Sequence, residues 1–442
     1  MNFKKALVAV PLSLSLLIPG GLAFADDHAE TPKVDTPAVE LRADLDRMFS
    51  EHAYLAITAM RKGANGEKDF DQAVQALNGN TEDLTKAITS VYGEDAGKQF
   101  NEMWSNHIGF FVDYVKATAN EDEAAKKEAL DNLSTYKEEF ATFLSNATEG
   151  KLPQDGLAEG LGTHAEQLIT AFDAYVAGDY EKAYETQSDA MEHMYMPSKG
   201  LASAIVNQFP EKFDNTKAVT KAADLRSRLD FLLSEHFALA QQAMQNGADG
   251  AEEFDANVKV LNENTEEISQ TIASVYGEEG GQKFKELWSS HIGYFVDYVK
   301  ATGAEDEAAK EEALKELDQY RTDFSEFMAT ATEGGVKADT LAQGLQTHVD
   351  QLVGTFDAYV AGDYEQTWSS AREGYAHMFT PAKLFSSAIV TQFPDKFAGM
   401  PEMPETGMGG MSDSASLNWF IWTAPLFILA GAYAVRRKVS AE

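Results

Sequence analysis

Apolar residues recur every three to four positions along most of this chain, the spacing that places them on one face of an α-helix. A clear example includes Phe100, Trp104, His107 and Phe111, which share one face. No run of alternating apolar and polar residues predicts a β-strand. The sequence therefore predicts an all-α protein with an up-and-down packing of helices. The helices predicted in the first half of the chain cover a segment with its apolar face from Leu41 to Ala59, then about 67–91, 94–118 and 121–147, a fifth opened by Pro153 and a sixth capped by Asp179.

The first half of the chain recurs in the second half, shifted by 184 positions, as from His107 to His291. The segment "SNHIGFFVDYVKAT", which begins at Ser105, returns as "SSHIGYFVDYVKAT" with two differences in fourteen positions. We therefore predict two tandem bundles of five or six helices each, over residues 41–215 and 225–398. The short join between them predicts close neighbours, and the polar residues 26–40 predict a flexible lead-in.

Eight of the nine histidines occupy matching places in the two repeats, and His28 alone lies in the lead-in. The matching sets are His52, His107, His164 and His193 in the first repeat, and His236, His291, His348 and His377 in the second. The first three of each set lie at the centre of an apolar stripe, so their side chains are expected to point inward. His193 lies on the flank of its stripe, about 100° off centre. We predict that all four histidines of a repeat meet at one level of its core.

A single core histidine is usually a packed side chain, but several that converge on one core require another explanation. Neutral imidazole is a good ligand for zinc, copper, iron and nickel. Without a ligand, each buried imidazole needs a hydrogen-bond partner or costs roughly 1–3 kcal/mol. The histidine pattern therefore favours a transition-metal or haem site in each repeat over packing alone.

Methionines near the fourth histidine bear on the choice of metal. Met191, Met194 and Met196 surround His193, and Met378 follows His377 directly. Thioethers are soft ligands that suit Cu(I), although methionine is also an ordinary core residue. Copper is therefore slightly favoured over zinc, iron or haem.

Several residues lie where they could orient the histidines or shape the backbone around them. A carboxylate four residues before the fourth histidine shares its helix face, and an amide follows the third histidine by three residues. Pro197 cannot donate to the carbonyl of His193, and Pro381 stands in the same relation to His377, so each helix is expected to kink there. The orienting residues predicted on this basis are Asp189, Glu373, Gln167 and Gln351.

Composition limits the classes of function. The chain has no cysteine, which excludes thiolate metal sites and thiol catalysis, and its formal net charge is -35. A field of that sign repels nucleic acid, so we expect no nucleic-acid partner. The same charge attracts cations and promotes solubility.

Both ends of the chain carry export and anchoring patterns. Residues 1–25 have the basic, apolar and small-residue parts of a cleaved signal peptide. After a linker at 399–416 come an apolar span at 417–435 and a basic tail at 436–442. The linker contains the pentapeptide Met403, Pro404, Glu405, Thr406 and Gly407.

This order of pentapeptide, apolar span and basic tail resembles the LPXTG-type sorting signal of Gram-positive cell-surface proteins, with Met403 in place of the usual leucine. The resemblance implies that a sortase cleaves between Thr406 and Gly407 and joins Thr406 to peptidoglycan, so the membrane is contacted only through the span before sorting. A single-pass membrane anchor is the alternative. In both cases the helical body is extracellular.

The chain also resembles exported Gram-positive proteins that carry a "copper amine oxidase" label. That oxidase family forms a quinone from a tyrosine in an Asn-Tyr-Asp/Glu setting and uses a His-x-His pair, and this sequence has neither. The paired Glu-x-x-His motifs of di-iron bundles are also missing. Two functions remain: a wall-anchored protein that binds a metal or haem without proven turnover, or a surface interaction or spacer module with packed histidines.

Overall fold

The computed structural model describes residues 31–399, and within that range the protein is helical and contains no β-strand. This confirms the all-α prediction. The predicted signal peptide, the predicted sorting pentapeptide and the apolar span at 417–435 all lie outside the described residues. Among the helices of residues 31–399, none combines the length and the apolar character needed to cross a membrane.

The two repeats contain the same succession of helices. The first consists of α1 (Pro37–Asn65), α2 (Phe70–Tyr92), α3 (Glu94–Ala119), α4 (Glu123–Ala147), α5 (Gln154–Val176), α6 (Tyr180–His193) and α7 (Tyr195–Gln208), followed by a 3-10 turn at Pro210–Phe213. The second consists of α8 (Lys221–Asp249), α9 (Phe254–Gly303), α10 (Glu307–Ala331), α11 (Ala338–Ala361), α12 (Tyr364–His377), α13 (Phe379–Gln392) and the short α14 (Pro394–Phe397). Helix α9 corresponds to α2 and α3 together, because the chain stays helical on both sides of a kink at Gly277.

Local signals explain where the helices begin. The Thr36 side chain accepts a hydrogen bond from the backbone of Val39 and caps α1, with Pro37 at its first position. The predicted cap at Asp179 is present, since its carboxylate accepts from the backbone of Lys182. Helix α1 starts four residues before the predicted Leu41 for this reason.

The fourth histidine of each repeat ends a helix. Helix α6 stops at His193, Met194 stands between the two segments, and α7 begins at Tyr195. The same break separates α12 from α13 after His377. Met194 and Met378 keep helical backbone angles, so the bend expected from Pro197 and Pro381 is a one-residue break in the helical hydrogen bonding, which accounts for the larger number of helices than predicted.

Helices α1 and α8 form the centre of the molecule. Every residue of α1 from 48 to 62 is buried, and so is every residue of α8 from 231 to 245. A helix buried on all sides must be surrounded by protein. Here α1 and α8 pack against each other and against the other helices of their own repeats. The two repeats consequently share one continuous hydrophobic core.

Reciprocal ion pairs join the repeats. The guanidinium of Arg42 lies 2.6 Å from the carboxylate of Asp224, and that of Arg226 lies 2.9 Å from the carboxylate of Glu40. Arg42 corresponds to Arg226, and Glu40 corresponds to Asp224, when the first repeat is shifted by 184 positions. The two ion pairs are therefore equivalent to each other. Arg226 also donates to the carbonyl of Val34, which is buried, so the described part of the lead-in packs on the second repeat. The repeats are thus related by an approximate twofold axis.

Candidate metal centres

Three histidines of each repeat meet in the core, as their central place on the apolar stripes predicts. In the first repeat His52 comes from α1, His107 from α3 and His164 from α5, and all three are buried. Their ring nitrogens, one from each residue, lie within 4.8 Å of one another. The equivalent residues His236, His291 and His348 of α8, α9 and α11 form a second triad with the same geometry.

The closest approach within each triad matches the spacing of ligands around a metal ion. The Nε2 atoms of His52 and His107 are 3.4 Å apart, and those of His236 and His291 are 3.3 Å apart. Two imidazole nitrogens bound to one tetrahedral ion at about 2.0–2.1 Å lie roughly 3.3 Å from each other. The same two distances also suit a hydrogen bond, in which one ring of each pair donates and the other accepts. The third histidine of each triad has a nitrogen within 4.8 Å of the other two and completes a set of three candidate ligands.

Burial keeps these imidazoles neutral, which is the protonation state of a metal ligand. Loss of solvent, with a smaller contribution from the neighbouring His164, lowers the pKa of His107 to about 3. Burial also lowers the pKa of His291 to about 4 and that of His348 to about 3, in the last case with help from neighbouring histidines. The pKa values of His52, His164 and His236 are shifted well down for the same reason. Each triad therefore offers nitrogen lone pairs without competition from protons at neutral pH.

Aromatic rings hold the triads in place. The His107 ring stacks on Tyr136 with 4.8 Å between centroids, and the Trp104 ring lies 4.7 Å from His107 and 4.7 Å from His52. The second repeat repeats this arrangement with Tyr320 and Trp288. The three-residue spacing from Trp104 to His107 places these two side chains on one helix face, whereas the contact of His107 with Tyr136 joins α3 to α4.

Unpaired polar atoms concentrate around both triads. Within residues 31–399, both ring nitrogens of His164 and both of His348 are buried and have no hydrogen-bond partner. A native core satisfies most buried polar atoms, and each one left unpaired costs about 1–3 kcal/mol. The other unpaired atoms near the triads are His52 Nδ1, His107 Nδ1, Trp104 Nε1, Tyr136 Oη and Gln167 Oε1, with His236 Nδ1, Trp288 Nε1, Tyr320 Oη and Gln351 Oε1 in the second repeat.

The fourth histidine of each repeat makes a different contact. His193 lies half-buried, with its Nε2 3.0 Å from the carbonyl oxygen of Gly160, and His377 meets Gly344 in the same way. The two groups of ring nitrogens that lie within 4.8 Å of one another do not include His193 or His377, so three of the four predicted histidines meet in each repeat. Burial lowers the pKa of both residues.

The predicted orienting residues fall into two groups. Gln167 and Gln351 have a buried side-chain oxygen without a partner within residues 31–399, so each can accept a hydrogen bond from a nearby donor. Asp189 and Glu373 precede the fourth histidine, whose Nε2 is directed to a glycine carbonyl instead. Burial raises the pKa of Asp189.

A small cavity of about 20 Å³ lies beside the second triad. His291, His348, His377 and Met378 line it, so imidazoles and a thioether face the same space. Gly344 also lines it, and a Cβ added there would meet no atom within 4 Å. This volume accommodates a single ion or one water molecule. It is far below the several hundred Å³ that a group as large as haem needs (about 300 Å³ or more).

No protein-family model, no curated protein and no solved structure matches this chain. The case for a function therefore rests on the geometry and chemistry of the two triads.

Proposed function

We propose that this chain is an exported cell-surface protein that holds one transition-metal ion, with copper the first candidate, in each of two buried three-histidine sites. The observation that carries the proposal is the duplicated meeting of three neutral imidazoles with Nε2 atoms 3.4 Å and 3.3 Å apart. Histidines 52, 107 and 164 supply the ligands in one repeat, and histidines 236, 291 and 348 in the other.

Coordination accounts for the unpaired atoms better than packing does. The contact between His52 and His107 satisfies at most one nitrogen of each ring, and it leaves His164 with no partner within the described residues. An apolar side chain at position 164 would avoid that cost. A metal ion held by the Nε2 atoms of His52 and His107 would take one nitrogen of His164 as its third ligand and so give that ring a partner.

Sulfur near the imidazoles favours copper over the other candidates. Met378 lines the cavity of the second triad, and its counterpart Met194 is buried directly after His193. Imidazole and thioether ligands together suit Cu(I), whereas zinc and iron are also compatible with imidazole alone. The metal groups contain no carboxylate, which disfavours magnesium, calcium and manganese.

The proposed role is capture or buffering of the metal outside the cell. The signal pattern and the sorting pentapeptide support export and attachment to peptidoglycan by a sortase, with a single-pass anchor as the alternative. The net charge of -35 would concentrate cations around the body. No catalytic turnover is part of the proposal, because the cavity of about 20 Å³ beside the second triad holds no more than one ion or water molecule.

Elemental analysis of copper-loaded protein tests the two-site proposal. Loading with Cu(I) under reducing conditions, followed by desalting, is expected to leave two ions per chain. His107→Ala and His291→Ala should each leave one ion, and the double variant none. His193→Ala is the matched control, since its Nε2 is engaged by Gly160, and it should still retain two.

Circular dichroism shows whether each variant keeps its helices, so that loss of metal can be separated from loss of fold. Retention of no metal by the wild type, together with no thermal stabilisation by copper, zinc or iron, would contradict metal binding. It would favour the interaction or spacer module with packed histidines. Absorbance after addition of haem provides the separate test of the haem alternative.

A further inference from the structure

A larger cavity of about 300 Å³ lies between the two repeats, at the carboxyl ends of α1 and α8. Its base is formed by buried residues that include Arg61 and Gln245, and its mouth by the exposed Asn65 and Asp249. The volume is at the lower end of the range for small-molecule sites, about 300–1,000 Å³. It is separate from both histidine triads.

This cavity lies on the approximate twofold axis, because residues related by the shift of 184 positions face each other across it. Arg61 corresponds to Gln245, and Tyr175 corresponds to Tyr359, and all four line the space. The triads are chemically the same in both repeats, but here a cation stands opposite a neutral amide. The cavity therefore has two chemically different sides.

Arg61 is a buried cation without an anionic partner. It is 5% exposed, and within residues 31–399 no carboxylate oxygen lies within 4.0 Å of its guanidinium. Its Nη1 atom has no hydrogen-bond partner there, and its charge lies over the Tyr184 ring, 4.4 Å from the centroid. The adjacent Lys62 differs, since it pairs with Glu67 at 2.6 Å. A buried charge of this kind calls for an opposite charge.

A second unpaired donor lines the same space. The Nε2 atom of Gln245 is buried and has no acceptor in the described part of the chain. Both unsatisfied groups of this cavity are donors, one charged and one neutral. A carboxylate, with two oxygens that accept hydrogen bonds, fits that pair, and arginine binds carboxylates especially well.

Carboxylates occupy other parts of the wall. Glu253 accepts a hydrogen bond from Tyr175 at 2.7 Å, and Asp249 accepts one from Tyr359. Each carboxylate has further lone pairs available to an ammonium group. We propose that the cavity binds a small zwitterion of the amino-acid class, with its carboxylate at Arg61 and Gln245 and its ammonium group facing Glu253 and Asp249. The tyrosine rings then contact its side chain.

Three probes of similar shape test this proposal on the wild-type protein. L-Leucine carries both charges, 4-methylpentanoate lacks the amine and 3-methylbutylamine lacks the carboxylate. We expect L-leucine to raise the melting temperature and to bind in calorimetry, 4-methylpentanoate to bind at least about 10-fold more weakly, and the amine not to bind. Equal binding of the acid and L-leucine, binding of the amine alone, or no binding of any probe would overturn the proposal.

Two variants assign the site. Arg61→Met keeps the length of the side chain and removes the charge, and we expect it to weaken L-leucine binding by about 10- to 100-fold. Gln245→Leu should weaken it by a smaller factor. Lys86→Met removes one positive charge from an exposed helix face and is the matched control, with binding unchanged. Unchanged binding in both pocket variants would contradict the assignment. None of these results depends on metal binding at the triads.

Discussion

The two repeats are alike at the histidine triads and different where they meet. Glu51 and its counterpart Glu235 are both buried carboxylates held by an asparagine at 2.8 Å and 2.7 Å. Across the interface, Glu51 pairs with Arg372 at 2.9 Å, whereas Glu235 accepts a hydrogen bond from Ser188, the residue equivalent to Arg372. Each triad is built within one repeat, so both copies can have the same chemistry. The interface residues face a partner that is itself a copy, and there the two sides have become different.

The largest expected effect comes from removing Arg372, the cation that pairs with Glu51 across the interface. Arg372→Ala removes the nearest cation from the carboxylate of Glu51, which is 1% exposed, and leaves it only the more distant Arg47 at 3.9 Å. We expect the free energy of unfolding to fall by about 3–5 kcal/mol. Ser188→Ala removes one hydrogen bond on the equivalent side and should cost about 1 kcal/mol. Denaturant unfolding measures both, and equal costs would contradict the asymmetry.

The pH dependence of stability provides a second contrast. Burial raises the pKa of Glu235 from 4.5 to about 7, against the opposing effect of hydrogen bonds from Ser188 and Asn264. Between these pH values the folded protein binds more protons at this site than the unfolded chain does, so the contribution of Glu235 to stability is lost as the pH rises from 4.5 through 7.

Glu235→Gln should remove that loss, because the amide does not ionise. We expect the free energy of unfolding of this variant, relative to that of the wild type, to be higher at pH 8 than at pH 5 by on the order of 3 kcal/mol. Denaturant unfolding at each pH measures this difference. Glu51→Gln is the control on the other side of the interface, and it should be destabilised at both pH values because its pairing with Arg372 is weakened. A gain that does not change with pH in Glu235→Gln would contradict this account.

The smallest expected effect concerns a difference in side-chain size. A Cβ added at Gly374 would overlap the ring of Phe237, while the equivalent residues of the first repeat are Ala190 and Ala53. We expect Gly374→Ala to cost about 1–3 kcal/mol through overpacking. Ala190→Gly should cost only about 0.5–1 kcal/mol, as for glycine within a helix. Thermal unfolding compares the two, and a stabilised Gly374→Ala would show that the ring moves away without cost.

The sequence predicts the helices well because their determinants are local. The apolar spacing around Trp104, the cap at Asp179 and the missing donor at Pro197 each act within a few residues. The inward direction of His52, His107 and His164 also follows from helix geometry. The contact between His193 and Gly160 does not, since it depends on how α6 packs against α5 after the break.

The sequence pattern does not predict the contacts between the repeats. The pairing of Glu51 with Arg372 joins residues far apart in the chain. A helical pattern predicts whether such a residue faces the surface or the core, but it does not predict the partner. The cavity at Arg61 has the same origin, because it forms only when the ends of α1 and α8 come together. Such sites depend on the relative placement of two copies, which no single repeat encodes.

X-ray absorption of the copper-loaded protein tests the central claim most directly, because it reports the ligands around each ion. We predict three imidazole nitrogens per copper at about 2.0 Å, and loss of that signal in the double variant His107→Ala with His291→Ala. A shell of oxygen ligands, or a spectrum that is the same in the double variant, would contradict metal binding at the two histidine triads.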